Sequence, residues 1–178
     1  MLTTDQKGTI AEYGIAWAAI RLGIDVYKPL NDGTRCDLIF DLAGKLTRVQ
    51  CKWASWNGGT LIVRCYRHRR TREGLLRRLY TSDEVDAFAA YSLETNKCYF
   101  LPFDQFNGQP NVQLRLAPTR NNQKSGINWA EDYEFDARLS RFGAVAQLGE
   151  RDAGSVEAAG SSPAGSTEKP PTRWLFAV

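Results

Sequence analysis

The sequence predicts an α/β domain in which one helix precedes a series of β strands, and two observations support that prediction. Thr3 followed by Gln6 forms a capping box, and apolar residues then recur at helical spacing until Gly23, a typical helix-ending residue. After Gly23, short apolar runs alternate with turn residues, as expected for strands joined by tight turns. The predicted strands are residues 25–29, 36–41, 46–53, 60–66, 85–91 and 97–102.

The first helix is expected to bury one face against the sheet. Its apolar residues recur about every three to four positions, which places them on one stripe. Glu12 falls on the flank of this stripe, so the pattern predicts a carboxylate near the edge of the packing surface. The stripe consists of Ile10, Tyr13, Gly14, Trp17, Ile20 and Ile24.

Length and composition limit the class of protein. The chain has 178 residues and 43% hydrophobic residues, which suits one folded domain. No apolar run approaches the roughly 20 residues that span a bilayer, and the N-terminus lacks the pattern of a signal peptide. We therefore expect a cytoplasmic protein without a membrane segment. The cysteines lack paired spacing and the sequence has one histidine, so buried thiols are favoured over a zinc site or disulfides.

A basic segment stands out on a chain whose net charge is only +3. Seven arginines lie within fifteen residues, and Glu73 is the one acid among them. Such a concentration favours contact with a polyanion such as the phosphates of nucleic acid, although a solvated face is the simpler alternative. We expect a loop, or a short helix around residues 75–79. The arginines are Arg64, Arg67, Arg69, Arg70, Arg72, Arg77 and Arg78.

The second and third predicted strands bring three polar side chains together. Antiparallel pairing about Ala43-Gly44 places Asp37 beside the stretch from Gln50 to Lys52, and residues two apart on a strand share a face. A carboxylate can hold a hard cation, which can activate water, while a lysine can neutralise charge on a phosphate. The simpler alternatives are a turn cap for Asp37 and an edge lysine for Lys52.

These residues belong to an ordered series that resembles the PD-(D/E)xK endonuclease superfamily, in the small branch that includes an intron-encoded homing endonuclease. The resemblance extends from about Lys7 to Phe135. Its pieces are Lys7-Gly8 with Glu12, Arg35-Cys36-Asp37-Leu38, Arg48-Val49-Gln50-Cys51-Lys52, residues 84–91 and residues 126–133.

The resemblance implies a restriction-endonuclease-like core, a mixed β-sheet flanked by helices, with Mg²⁺ as cofactor and Mn²⁺ as a plausible substitute. Glu12, Asp37 and Gln50 match the metal-binding positions, and Lys52 matches the catalytic lysine; all four are candidate catalytic residues. Gln50 stands where the general pattern has an acid. That departure removes one negative charge, so metal binding would depend more on Glu12 and Asp37.

The implied activity is hydrolysis of double-stranded DNA, of homing or restriction type. Cleavage of both strands needs two active sites, so we expect a homo-oligomer, a dimer or a tetramer. Two alternatives stay open: a nuclease selective for branched DNA, and a catalytically silent DNA-binding module. Glutamine at position 50 is the feature that keeps the silent module open.

The C-terminal part differs in composition. Residues 140–178 are rich in Gly, Ala and Ser, which predicts a disordered tail after a nuclease domain at residues 1–139. Residues 145–151 and 160–167 resemble the D-arm and T-arm of a transfer-RNA gene translated as codons. On that interpretation the tail is read-through of a neighbouring gene.

Overall fold

A computed structural model describes residues 1–31, 33–72, 74–118 and 125–142, with only the backbone at residues 69, 70, 71 and 75. In chain order its elements are α1 (Thr4–Arg21), β1 (Asp25–Tyr27), β2 (Leu38–Leu42), β3 (Lys45–Asn57), β4 (Thr60–Arg64), β5 (Tyr66–Thr71), β6 (Gly74–Leu79), β7 (Ala87–Ser92), β8 (Lys97–Pro102), α2 (Phe103–Phe106) and β9 (Asn111–Arg115). A 3₁₀ turn, Ala130–Tyr133, precedes helical residues 135–142. No helix in the described ranges is long and apolar enough to cross a membrane.

The sheet is mixed, as the sequence predicts, and β3 is its hub. β3 pairs antiparallel with β2 up to Val49, parallel with β7 from Val49 to Trp53, and antiparallel with β4 from Ala54 onward. β1 extends the sheet beyond β2, β9 beyond β4, and β8 beyond β7. β3 is four residues longer at its C-terminal end than the sequence pattern predicts, because β4 continues its ladder.

The sheet separates two hydrophobic cores. Val49 and Cys51 of β3 belong to the core beneath α1, whereas Ala54 belongs to the core on the opposite face. Because side chains alternate along a strand, Gln50 and Lys52 lie on the face away from α1. The four cysteines are buried free thiols, in agreement with the sequence interpretation.

The buried face of α1 differs from the predicted one, of which Ile24 is buried in the core beneath α1. Ala11, Ile15 and Ala19 are buried, while Tyr13 and Trp17 are 67% and 60% exposed. The physical reason is size, because alanines let the helix lie close to the sheet where aromatic rings would hold it away. Gly14 contributes to this close approach, since a Cβ there would lie 3.1 Å from the ring of Tyr91.

The arginine segment is also different from the prediction, because it forms a β-hairpin of β5 and β6 rather than a loop or a short helix. The register places Arg67 directly opposite Arg78. Like charges in that position destabilise a ladder, but the carboxylate of Glu84 accepts from both guanidinium groups at 3.0 Å. The two facing arginines of the hairpin are therefore paired with an acid that follows it in the chain.

Two predictions about the C-terminus remain predictions. Residues 135–142 are helical across the proposed boundary at residue 139, and Leu139 is fully buried in the core beneath α1. Residues 143–178, with the two stretches that resemble a translated transfer-RNA gene, lie outside the described residues.

Candidate active site

The site forms where β2 begins and β3 continues past it. Asp37 lies directly before β2, and its backbone N–H donates to the carbonyl of Val49 at 3.0 Å. Beyond Val49 there is no β2 residue to pair with β3. The Asp37 carboxylate lies there instead, accepting from the backbone N–H of Cys51 at 2.8 Å through Oδ2. A side chain thus satisfies a donor that the ladder leaves unpaired.

Gln50 shares this site with Asp37. Its amide nitrogen donates to the same Oδ2 atom, and the residue is 9% exposed. Lys52 follows two residues later on the same face of β3. The structure therefore brings together the three residues that the hairpin pattern placed side by side.

Burial dominates the electrostatics of the site. It raises the pKa of Asp37 to about 6, against the lowering effect of the Cys51 hydrogen bond. The charge of Glu12 raises the pKa of Asp37 further, and that of Lys52 lowers it. Burial also lowers the pKa of Lys52, opposed by the charge of Asp37. The carboxylate therefore carries a charge that its surroundings compensate only in part.

Glu12 lies on α1 at the edge of the site. Its carboxylate accepts from Lys28 Nζ at 3.0 Å, and its side chain is 31% exposed. The pairing raises the pKa of Lys28, through the hydrogen bond first and the charge of Glu12 second. Lys28 is a neighbour that the sequence analysis missed, and only the packing of α1 against β1 brings it there.

The Lys52 amine is held by two oxygen atoms. Its Nζ donates to the carbonyl of Tyr66 at 3.3 Å and to the hydroxyl of Tyr80 at 3.1 Å. The amine also lies 4.7 Å from the centre of the Tyr80 ring, within the range of a cation–π interaction. The sequence analysis missed Tyr80, because nothing in its local pattern links it to a strand 28 residues earlier.

The donor set agrees with a hard cation. Asp37 offers a partly buried carboxylate with incomplete charge compensation, Gln50 an amide, and Glu12 a second carboxylate at the edge. Mg²⁺ typically takes one or two protein carboxylates and keeps several waters, so these oxygens fit it. Among the described residues no group of three or more His, Cys, Asp or Glu side chains could hold a metal ion.

The seven arginines divide into distinct environments. Arg67 and Arg78 pair with Glu84, which is 3% exposed. The Arg77 guanidinium lies 4.4 Å from the Tyr66 ring centre. The remaining members with described side chains, Arg64 and Arg72, are exposed, while the side chains of Arg69 and Arg70 lie outside the described atoms. The hairpin is thus fixed by two arginines and presents others to solvent.

Comparisons with known proteins identify the family and a similar fold. A family model described as PD-(D/E)XK endonuclease matches residues 2–136. The solved structure of a bacterial homing endonuclease, I-Ssp6803I, is similar with a TM-score of 0.62 and 27% identity, over 86% of this chain and 100% of that chain. No curated protein matches the chain. The family resemblance and the restriction-endonuclease-like fold predicted from the sequence are confirmed.

Proposed function

This chain belongs to the PD-(D/E)XK endonuclease family, and on that premise we propose that it hydrolyses phosphodiester bonds of double-stranded DNA with a divalent cation, of homing or restriction type. The observation that supports the proposal best is the convergence of Asp37, Gln50 and Lys52 on one face of β3. In this arrangement a partly buried, incompletely compensated carboxylate lies on the same side of the sheet as a partly buried amine.

Each residue has a role that follows from its contacts. Asp37 would hold the cation, with the amide oxygen of Gln50 and the carboxylate of Glu12 as further ligands. When bound, Mg²⁺ supplies polarisation of a phosphoryl oxygen and acidity to a bound water. Lys52 would orient the attacking water or neutralise the charge that develops on the phosphate. Its lowered pKa makes proton release easier than from an ordinary lysine.

The exposed arginines would position DNA without reading its sequence, because phosphate contacts fix register and orientation only. Among the arginines with described side chains, the exposed ones are Arg64, Arg72, Arg77 and Arg78. Arg69 and Arg70 are proposed on their place in the hairpin alone. Arg67 and Arg78 carry part of the positive charge but are held by Glu84.

We also propose that the protein works as a homo-oligomer, a dimer or a tetramer, because cutting two strands needs two sites. The exposed aromatic face of α1 supports this association. Tyr13, Trp17 and Ile20 are exposed on it, and Tyr13 and Trp17 line a cleft of about 560 Å³ together with Tyr91 and Phe135. Sedimentation equilibrium of the protein tests the association, and a monomer at the concentrations that cleave DNA would contradict it.

A silent DNA-binding module is the second candidate. The amide nitrogen of Gln50 donates to Asp37, where an acid in its place would be a second anionic ligand. That contact stabilises the Asp37 carboxylate without a metal. A nuclease selective for branched DNA uses the same site chemistry, so only the substrate distinguishes it.

One experiment separates the three activities. Supercoiled plasmid and a four-way junction are incubated with the protein in Mg²⁺, beside Asp37→Ala and Lys52→Ala. Asp25→Ala and Lys45→Ala are matched controls, since both residues are exposed on neighbouring strands. We expect linear plasmid from the wild type and controls, and a loss of on the order of 10²–10³-fold or more in the site variants.

The other outcomes are equally informative. Cleavage of the junction alone would support the branched-DNA nuclease. Binding without cleavage in Mg²⁺, Mn²⁺ and other divalent ions would leave the silent module. Cleavage that survives in both site variants would refute the assignment of the site.

A further inference from the structure

The two contacts of the Lys52 amine come from the two ends of the arginine hairpin. Tyr66 is the first residue of β5, and Tyr80 directly follows the last residue of β6. Their donor–acceptor distances to Lys52 Nζ are 3.3 Å and 3.1 Å. The hairpin that presents the exposed arginines therefore also accepts both hydrogen bonds of the lysine in the candidate active site.

Contacts other than the one with Lys52 hold the Tyr80 side chain in place. It is 7% exposed, and its ring packs edge-on against Phe88 of β7 with the ring centres 5.5 Å apart. The Arg67 guanidinium lies 5.7 Å from the same ring. Burial raises the pKa of the Tyr80 hydroxyl, which keeps it protonated. It thus offers the Lys52 amine a neutral acceptor at a fixed position.

Glu84 fixes the hairpin next to Tyr80. Its Oε1 accepts from Arg67 of β5 and Arg78 of β6 at 3.0 Å each, and its Oε2 accepts from the backbone N–H of Thr81 at 3.3 Å. These bonds tie both strands, and the residue after Tyr80, to one buried carboxylate. The Tyr80 side chain therefore has little freedom to move relative to β7.

We propose that Tyr80 is a positioning residue that holds the Lys52 amine in its reactive orientation and couples the arginine hairpin to the active site. A lysine has four rotatable side-chain bonds, and an amine left to sample them would spend only a fraction of its time facing the phosphate. This inference rests on the proposed nuclease function for its kinetic part, whereas the contact itself can be tested without activity.

The test removes one oxygen atom. Tyr80→Phe deletes the hydroxyl and keeps the ring against Phe88. Tyr99→Phe is the matched control, because Tyr99 is also buried and its hydroxyl contacts Thr95 at 3.1 Å, whereas the Lys52 amine donates to Tyr66 and Tyr80. We expect kcat on DNA to fall about 10-fold to 100-fold in Tyr80→Phe. KM and the DNA affinity in Ca²⁺ should stay within about twofold, as expected for a change of orientation rather than of binding.

A second measurement does not depend on cleavage. Lysine-selective ¹H–¹⁵N spectra follow the ammonium group of Lys52, assigned by its absence in Lys52→Met. We expect this resonance to shift or broaden in Tyr80→Phe and to stay in place in Tyr99→Phe. If the wild type cuts no DNA while the resonance responds, the nuclease proposal fails and the contact stands.

Several results would overturn the inference. They are a kcat of Tyr80→Phe equal to that of the wild type, an equal loss in Tyr99→Phe, or an unchanged Lys52 resonance in Tyr80→Phe. Thermal melting monitors folding of both variants. Should Tyr80→Phe melt early, the resonance recorded below its melting temperature decides the question.

Discussion

Asp37 and Glu84 are both carboxylates removed from most solvent, but their surroundings differ in charge. Glu84 accepts from two guanidinium groups and one backbone N–H. Asp37 accepts from an amide and a backbone N–H, both neutral, and burial raises its pKa to about 6. Burying a charge is costly unless it is paired. Two cationic partners offset this cost at Glu84, whereas the partners of Asp37 offset it only in part.

This difference in charge compensation suggests a structural role for Glu84 and a catalytic role for Asp37. The compensated carboxylate closes the hairpin, and we expect its loss to be felt mainly in stability. At Asp37, binding of a cation would be most favourable, since a positive charge placed there removes an existing electrostatic penalty. Functional sites often carry such local instability, which the rest of the fold supports.

The largest effect on stability is expected from neutralising Glu84. Glu84→Gln keeps the shape but leaves Arg67 opposite Arg78 without an anion. Breaking a buried ion pair typically costs about 3–5 kcal/mol, and the partial exposure of both arginines reduces this to about 2–3 kcal/mol. Urea unfolding of the metal-free protein measures it. An unchanged midpoint would show that the two arginines are accommodated by solvent alone.

Neutralising Asp37 is expected to raise the free energy of unfolding, whereas neutralising Glu84 lowers it. Asp37→Asn removes the buried charge while its amide oxygen can still accept from Gln50 and Cys51. We expect the free energy of unfolding at pH 8 in EDTA to rise by about 1 kcal/mol, together with loss of cleavage. Urea unfolding measures this change as well, and Asp25→Asn, at an exposed position, is the control. A variant less stable than the wild type would mean that the carboxylate is already compensated.

The Asp86 carboxylate is more exposed than that of Glu84 and is paired with one arginine. We expect its neutralisation to have the smallest effect on stability of the three. This half-exposed carboxylate accepts from Arg48 through side-chain bonds of 2.8 and 3.0 Å and a backbone bond of 2.8 Å. Those bonds lower its pKa, the side-chain hydrogen bond most. A lowered folded-state pKa means that the stabilisation is present above the ordinary value of about 3.9 and is lost as pH falls through the folded-state value.

The expected observation is therefore a difference that depends on pH. The melting temperature of Asp86→Asn should lie a few degrees below that of the wild type at pH 6–7. The gap should close below about pH 4, where the wild-type carboxyl takes up a proton. A gap that persists to pH 2.5 would show that shape or packing, rather than charge, makes the contribution of Asp86.

The elements that the sequence predicted well are those with strong local patterns. The capping box of Thr3 and Gln6 is present, and the hairpin of β2 and β3 has the predicted turn. The arginine hairpin was predicted wrongly as a loop or a short helix, because Glu84, the acid that pairs with Arg67 and Arg78, lies outside the segment. The buried face of α1 was predicted wrongly because both faces are apolar, and only the sheet distinguishes alanines from aromatic rings.

The sequence by itself determined the meeting of Asp37, Gln50 and Lys52. They lie within 16 residues on one hairpin, where a turn and the alternation of side chains fix which residues share a face. Tertiary structure alone decided that Lys28 pairs with Glu12, that Glu84 fixes the hairpin and that Tyr80 holds Lys52. Those contacts join elements whose separation in the chain carries no periodicity, so they follow from packing and from no local pattern.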